Sequence, residues 1–176
     1  MTSAAPRAED FYNLFCLLLR EKRTKYLAIL SVNHPFRREI AEGIEKTRLQ
    51  NSVELTLIAS QETEALSQVR DIYKTGPHFD AVLFFSLMPG TYEFIAKQEN
   101  PKECRFVLDQ FSLYQNIRFT GYAYTTDLEH AAGLVIDNLL EQLEGSEEKR
   151  FIRMEFSVNQ YENGTFLKQI KQGDFK

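Results

Sequence analysis

The sequence predicts an α/β fold: a doubly wound, mostly parallel sheet of about five to six strands with helices on both faces. Three observations carry that reading. Short apolar runs alternate with segments whose apolar residues recur at helical spacing, beginning with Tyr26-Leu27-Ala28-Ile29-Leu30 and then Phe36, Ile40 and Ile44. The run Asp80-Ala81-Val82-Leu83-Phe84-Phe85 is continuously apolar after its first residue, as a parallel strand covered on both faces requires. Breakers separate the runs: Ser31 to Pro35, Gly76-Pro77, and Ser86-Leu87-Met88-Pro89-Gly90.

Taken in order, Met1 to Arg7 reads as a tail. Ala8 to Lys22 has helical spacing and one very apolar side, with Phe11, Leu14, Phe15, Leu17, Leu18 and Leu19. That side must be covered by its own domain or by a partner. Phe11, Leu14, Phe15 and Leu18 are therefore the candidate dimerisation residues. Lys22 to Lys25 is a solvated basic junction. The first strand, Tyr26 to Leu30, runs into a polar turn. Asn33 or His34 is expected to cap the following helix, with Pro35 in its first turn. Val53 to Ala59 is a second strand. A helix from Ser60 to about Thr75 carries Ala65, Leu66, Val69 and Ile72 as its stripe, and Gly76-Pro77 stops it. Asp80 to Phe85 is the third strand, Thr91 to Gln98 a short helix, and Arg105 to Asp109 the fourth strand.

Gln110 to Asn116 reads as a loop, and Ile117 to Tyr124 holds a short fifth strand. Asp127 to Glu144 is a helix, capped by Thr126 or Asp127 and ended by Gly145. Phe151 to Val158 alternates apolar and polar residues and predicts a strand with one exposed face. Asn163-Gly164 is a turn signal. Phe166 to Lys176 is a polar tail or a short final strand. The expected division is a tail and apolar helix over 1–25, an α/β lobe over 26–160, and a C-terminal tail over 161–176.

Composition narrows the function. The chain has 176 residues, enough for one domain, and a net charge of −4 that gives no basic face for nucleic acid. No apolar run reaches the roughly 18 residues of a membrane span. The polar N-terminus lacks a signal-peptide pattern, so a cytoplasmic protein is the expectation. Two cysteines are too few for a disulfide framework. His34, His78 and His130 have no metal-ligand spacing. Cys16 and Cys104 read as packing residues. There is no Gly-x-Ser-x-Gly elbow and no Gly-rich phosphate loop. The acidic residues of a phosphoacceptor site are also missing from the first and third strand ends. No enzyme, no catalytic residue and no cofactor is predicted.

Ligands in open α/β sheets bind at the carboxyl ends of the strands. The first candidate site is therefore Ser31 to Phe36, which includes Ser31 and Asn33. Here the residues resemble a known family. Asn33-His34-Pro35-Phe36-Arg37-Arg38-Glu39-Ile40-Ala41-Glu42-Gly43-Ile44-Glu45 is similar to the opening of the effector-binding domain of lac-repressor-type transcription regulators. Those domains share the Rossmann-like fold of periplasmic sugar-binding proteins. Later segments follow in the family's order: Leu57 to Ser60, Phe79 to Phe84, Arg105 to Asp109, and the helix from Asp127 to Gly145 with its following strand. The resemblance covers roughly Tyr26 to Val158. Residues 1–25 do not match a helix-turn-helix headpiece, and the span from Asp109 to Asp127 has no room for a second lobe. The chain is expected to be a single, first lobe.

The resemblance implies binding of a small, sugar-like polar ligand. It places Phe36 as the aromatic that stacks on the ligand, and Ser86, Asp109 and Asp127 as polar strand-end groups that bond its hydroxyls. Phe36 is equally a helix–sheet core residue by its position, while Asp109 suits a turn cap and Asp127 a helix cap. The alternative function is a ligand-free interaction module, working as a homodimer or with a partner protein.

Overall fold

The structure is a computed structural model that describes residues 3–76, 78–86, 88–100, 102–109, 117–126, 128–145, 151–154 and 156–170. The elements follow as β1 (Ser3–Ala5), α1 (Ala8–Arg20), β2 (Lys25–Ser31), α2 (Arg37–Gln50), β3 (Glu54–Ser60), α3 (Glu62–Lys74) and β4 (Ala81–Phe84). Then come α4 (Pro89–Gln98), β5 (Arg105–Asp109), β6 (Gly121–Thr126), α5 (Leu128–Leu143), β7 (Phe151–Arg153), β8 (Phe156–Glu162) and β9 (Thr165–Ile170).

The main sheet has seven strands in the order β3-β2-β4-β5-β6-β8-β9. The first five are mutually parallel, and β8 and β9 add an antiparallel edge. One expectation is corrected at that edge. The alternating stretch from Phe151 to Val158 is two strands: β7 leaves the main sheet to pair with β1, and β8 pairs with β6. Of the two alternatives after Asn163-Gly164, the segment takes the strand, β9, which is the seventh strand of the sheet. Asn163 and Gly164 have φ of 49° and 79°, the left-handed pair of a tight hairpin turn.

Alternation along each strand divides the core in two. One face of the sheet carries Tyr26, Ala28, Leu30, Leu83, Phe85 and Val107 under α1 and α2. The other carries Leu27, Ile29, Ile58, Val82, Phe84 and Leu108 under α3 and α4. The apolar side of α1 closes the first face. Phe11 meets Phe85, Tyr124 and Phe156 edge-on at centroid distances of 5.8, 6.0 and 5.5 Å. Phe11, Leu14, Phe15 and Leu18 are at most 1% exposed. They are core residues of their own chain, which corrects their expected dimerisation role: such side chains have no surface to offer a second copy. For the same reason α1 belongs to the lobe. Its approach to α2 depends on Gly43, where a Cβ would stand 2.8 Å from the Ala8 carbonyl and 2.9 Å from the Phe11 Cβ.

The direction of α1 fixes which edge is which. Its first turn lies by the carboxyl ends of β4 and β6, while Glu21, just past its last turn, bonds Arg105 and Tyr122 near the strand starts. So β1, which feeds α1, lies at the carboxyl edge. β6 ends there at Thr126 before α5, and Phe156 at the start of β8 pairs with Thr126. All three connections between the main sheet and the small unit of β1, β7 and α5 thus run along one edge. α5 lies against β1 and β7.

Candidate ligand site at the carboxyl edge

From β2 the chain winds outward to β3, then crosses back to β4 on the other side of β2. The crevice between the ends of β2 and β4 is the topological switch point, where open α/β sheets hold ligands. The sequence-predicted residues Ser31 and Ser86 meet there. The Ser31 backbone N–H donates to Ser86 Oγ at 3.1 Å, and the Phe85 N–H donates to the Ile29 carbonyl at 2.9 Å. Asn33 is exposed and donates its N–H to Ser31 Oγ at 3.3 Å.

The turn after β2 closes on His34. Its Nδ1 accepts the Phe36 N–H at 3.1 Å. Burial lowers its pKa below the ordinary 6.5, against smaller raising effects from the Phe85 carbonyl and Glu39. The cap expectation is corrected here: α2 starts at Arg37 with Phe36 as its N-cap, so Pro35 lies in the preceding turn. Phe36 is half-buried, packs against the α1/α2 core and sits edge-on to His34 at 5.8 Å.

Asp109 is half-buried at the end of β5, in register with Tyr124 of β6. The Tyr124 hydroxyl points to the Phe85 carbonyl at 3.4 Å. Burial, and secondarily Asp109, pushes the Tyr124 phenol well above its ordinary pKa, so it remains a neutral donor. Asp127 lies outside the described residues. Ser31 and Ser86 therefore meet in the crevice, Asn33 and Phe36 lie in the turn after β2, and Asp109 stands at the end of the strand beside β4.

Sequence reasoning missed Ser60 as an edge residue. Ser60 reads in sequence as a helix start, yet it ends β3 in register with Ser31. It is 3% exposed, and its hydroxyl has no hydrogen-bond partner among the described residues; the Thr91 hydroxyl in the first turn of α4 is in the same state. The starts of α2, α3 and α4 carry no side-chain cap, and the Arg37 N–H at the start of α2 is taken by the His34 carbonyl at 3.1 Å. The Gly90 N–H is taken by the Glu62 carboxylate at 3.0 Å. The edge thus presents hydroxyls and backbone N–H groups, with the exposed Arg37 guanidinium beside them, donating to the Val32 carbonyl at 3.5 Å.

Nucleophilic chemistry finds little support. Cys104 is buried, and desolvation pushes its thiol far up, away from the reactive thiolate. Among the described residues, no group of His, Cys, Asp or Glu stands close enough to hold a metal ion. Among the same residues, no helix is long and apolar enough to cross a membrane.

The architecture has solved counterparts. A periplasmic ribose transporter protein from Conexibacter woesei superposes with a TM-score of 0.69 at 12% identity, over 90% of this chain and 59% of that one. This fold is a lobe of the periplasmic-binding-protein type. A solute-binding protein from Actinobacillus succinogenes with bound D-allose gives 0.69 at 10% identity, over 93% of this chain and 62% of that one. A LacI-family transcriptional regulator from Arthrobacter, in complex with lactose, gives 0.66 at 13% identity, over 88% and 64%. The chain thus spans about three fifths of each of these proteins. No family model and no curated protein matches the sequence. The resemblance read from Asn33 to Glu45 and onward holds at the level of fold.

Proposed function

We propose that this lobe binds a small, sugar-like molecule at its carboxyl edge, as a ligand-sensing domain related to lac-repressor-type regulators and not as an enzyme. The observation that carries the reading is the serine clasp at the switch point: Ser31 bonded to Ser86, with the buried Ser60 hydroxyl beside Ser31 left for a further polar partner. Phe36 supplies an apolar flank, and Asn33, Asp109 and Asp127 supply polar contacts. The bound sugars of the structural counterparts support the ligand class. Cytoplasmic location belongs to the same reading.

A single lobe covers one side of a ligand, whereas binding pockets bury most of a small molecule. Affinity is therefore expected to be weak, about millimolar, unless a second body closes the site. Titration calorimetry with ribose, D-allose, tagatose and lactose tests the reading. Heat from at least one sugar, reduced by Ser86→Ala, is the expected result; no heat from any of them sinks it.

A second reading, an interaction or dimerisation module without ligand, is favoured by the exposed apolar residues of α5, not by α1. Ile136, Leu140 and Leu143 are 57%, 53% and 84% exposed. Native mass spectrometry separates the two readings by recording the oligomer and any retained small molecule together.

A further inference from the structure

We infer that α5 is a docking helix whose occupant is a basic amphipathic helix of a partner protein. The inward stripe of α5 is Ala131, Val135, Asn138 and Gln142, and its outward stripe is Ile136, Leu139, Leu140 and Leu143. The outward residues recur at steps of three and four, the spacing by which one helix seats another. Five of the eight exposed large apolar residues of the described chain lie on this helix. Such a contiguous patch marks an interaction surface.

Charge identifies the occupant. α5 contains no Lys or Arg, and the exposed Asp137 and Glu144, seven residues apart, run beside its apolar stripe. The other four helices each place a base in the last turn: Arg20, Arg48, Lys74 and Lys97. Those cations meet the negative end of the helix dipole, and α5 has none. A partner bearing Lys or Arg along an apolar stripe supplies the missing cations while covering the leucines. A second copy of α5 brings acid against acid, and an anionic membrane surface does the same. Because α5 leaves the sheet at its carboxyl edge, the partner stands beside the candidate ligand site, but docking itself requires no ligand.

The test uses the full chain with two labelled synthetic helices, one built of Leu and Lys at helical spacing and one of Leu and Glu. Fluorescence anisotropy is expected to show the Leu/Lys helix binding about tenfold tighter or more, with a clear loss in high salt. Leu140→Asp should abolish that binding, and Asp137→Lys with Glu144→Lys should invert the preference toward the Leu/Glu helix. These side chains are exposed, so an unchanged circular dichroism melt confirms that the variants fold. Equal binding of both helices, or Leu/Lys binding that survives Leu140→Asp, overturns the inference. So does a dimer by light scattering that Leu140→Asp splits into monomers, since the occupant is then a second copy.

Discussion

His34 shows how one side chain closes a turn at a strand end. Its Nδ1 accepts the Phe36 N–H, which ties the turn after β2 to the start of α2. Burial keeps its folded pKa below the ordinary 6.5. As pH falls, the unfolded chain therefore takes up this proton before the folded chain does. The stabilisation is fully present above the unfolded pKa and is lost as pH drops through the folded one. The melting temperature should fall between about pH 7.5 and about pH 5.5, and His34→Gln should flatten that segment of the profile. An unchanged slope in the variant would show that His34 is not the titrating group. Glu99 makes a similar argument at the other end of the sheet. It is 6% exposed and accepts the Tyr73 hydroxyl at 2.6 Å and the Phe79 N–H at 3.1 Å. Glu99→Ala leaves both donors buried and unpaired, and chemical denaturation should record a loss of about 1–3 kcal/mol or more.

At the scale of elements, α1 decides how the first core is closed. Leu14 and Leu18 lie beneath it at 1% and 0% exposure. Leu14→Asp or Leu18→Asp buries an unpaired charge, so each should unfold the lobe instead of splitting a dimer. A folded variant with altered oligomeric state would contradict this. Phe11→Ala removes the ring that meets three others and should cost about 3–5 kcal/mol. The α1–α2 contact is as sensitive from the other side. Gly43→Ala forces backbone apart at Ala8, and a loss of about 1–3 kcal/mol is expected in urea unfolding.

Across the whole molecule, stability is uneven. β2 and β4 have strand neighbours on both sides and core on both faces. The unit of β1, β7 and α5 rests on a two-stranded parallel pair and an apolar helix that is largely exposed. Parallel sheets are ordinarily covered on both faces, and two strands seldom stand alone. Amide exchange should therefore be much faster in β1, β7 and α5 than in β2, β4 and β5. Equal protection would mean that the unit is as firmly built as the main sheet. This unit joins the sheet at its carboxyl edge, the edge that also carries the candidate ligand site.

The sequence by itself determined the alternation of strands and helices, the burial of β4, the hairpin turn at Asn163-Gly164 and the chain segments that end at the site edge. These are local properties: side-chain period, turn chemistry and apolar continuity act within a few residues of one another. It also placed Ser31, Asn33, Phe36 and Ser86 at strand ends, because a strand end is visible as a change of period. Only the tertiary structure decided what covers α1, since an apolar stripe does not name its partner. The same is true of the split between β7 and β8, which both alternate but pair with different strands. The pairing of Ser60 with Ser31 and the bond from Ser31 to Ser86 follow from strand order and register. Contacts between residues far apart in sequence are fixed by how the layers pack, and no local pattern encodes them alone.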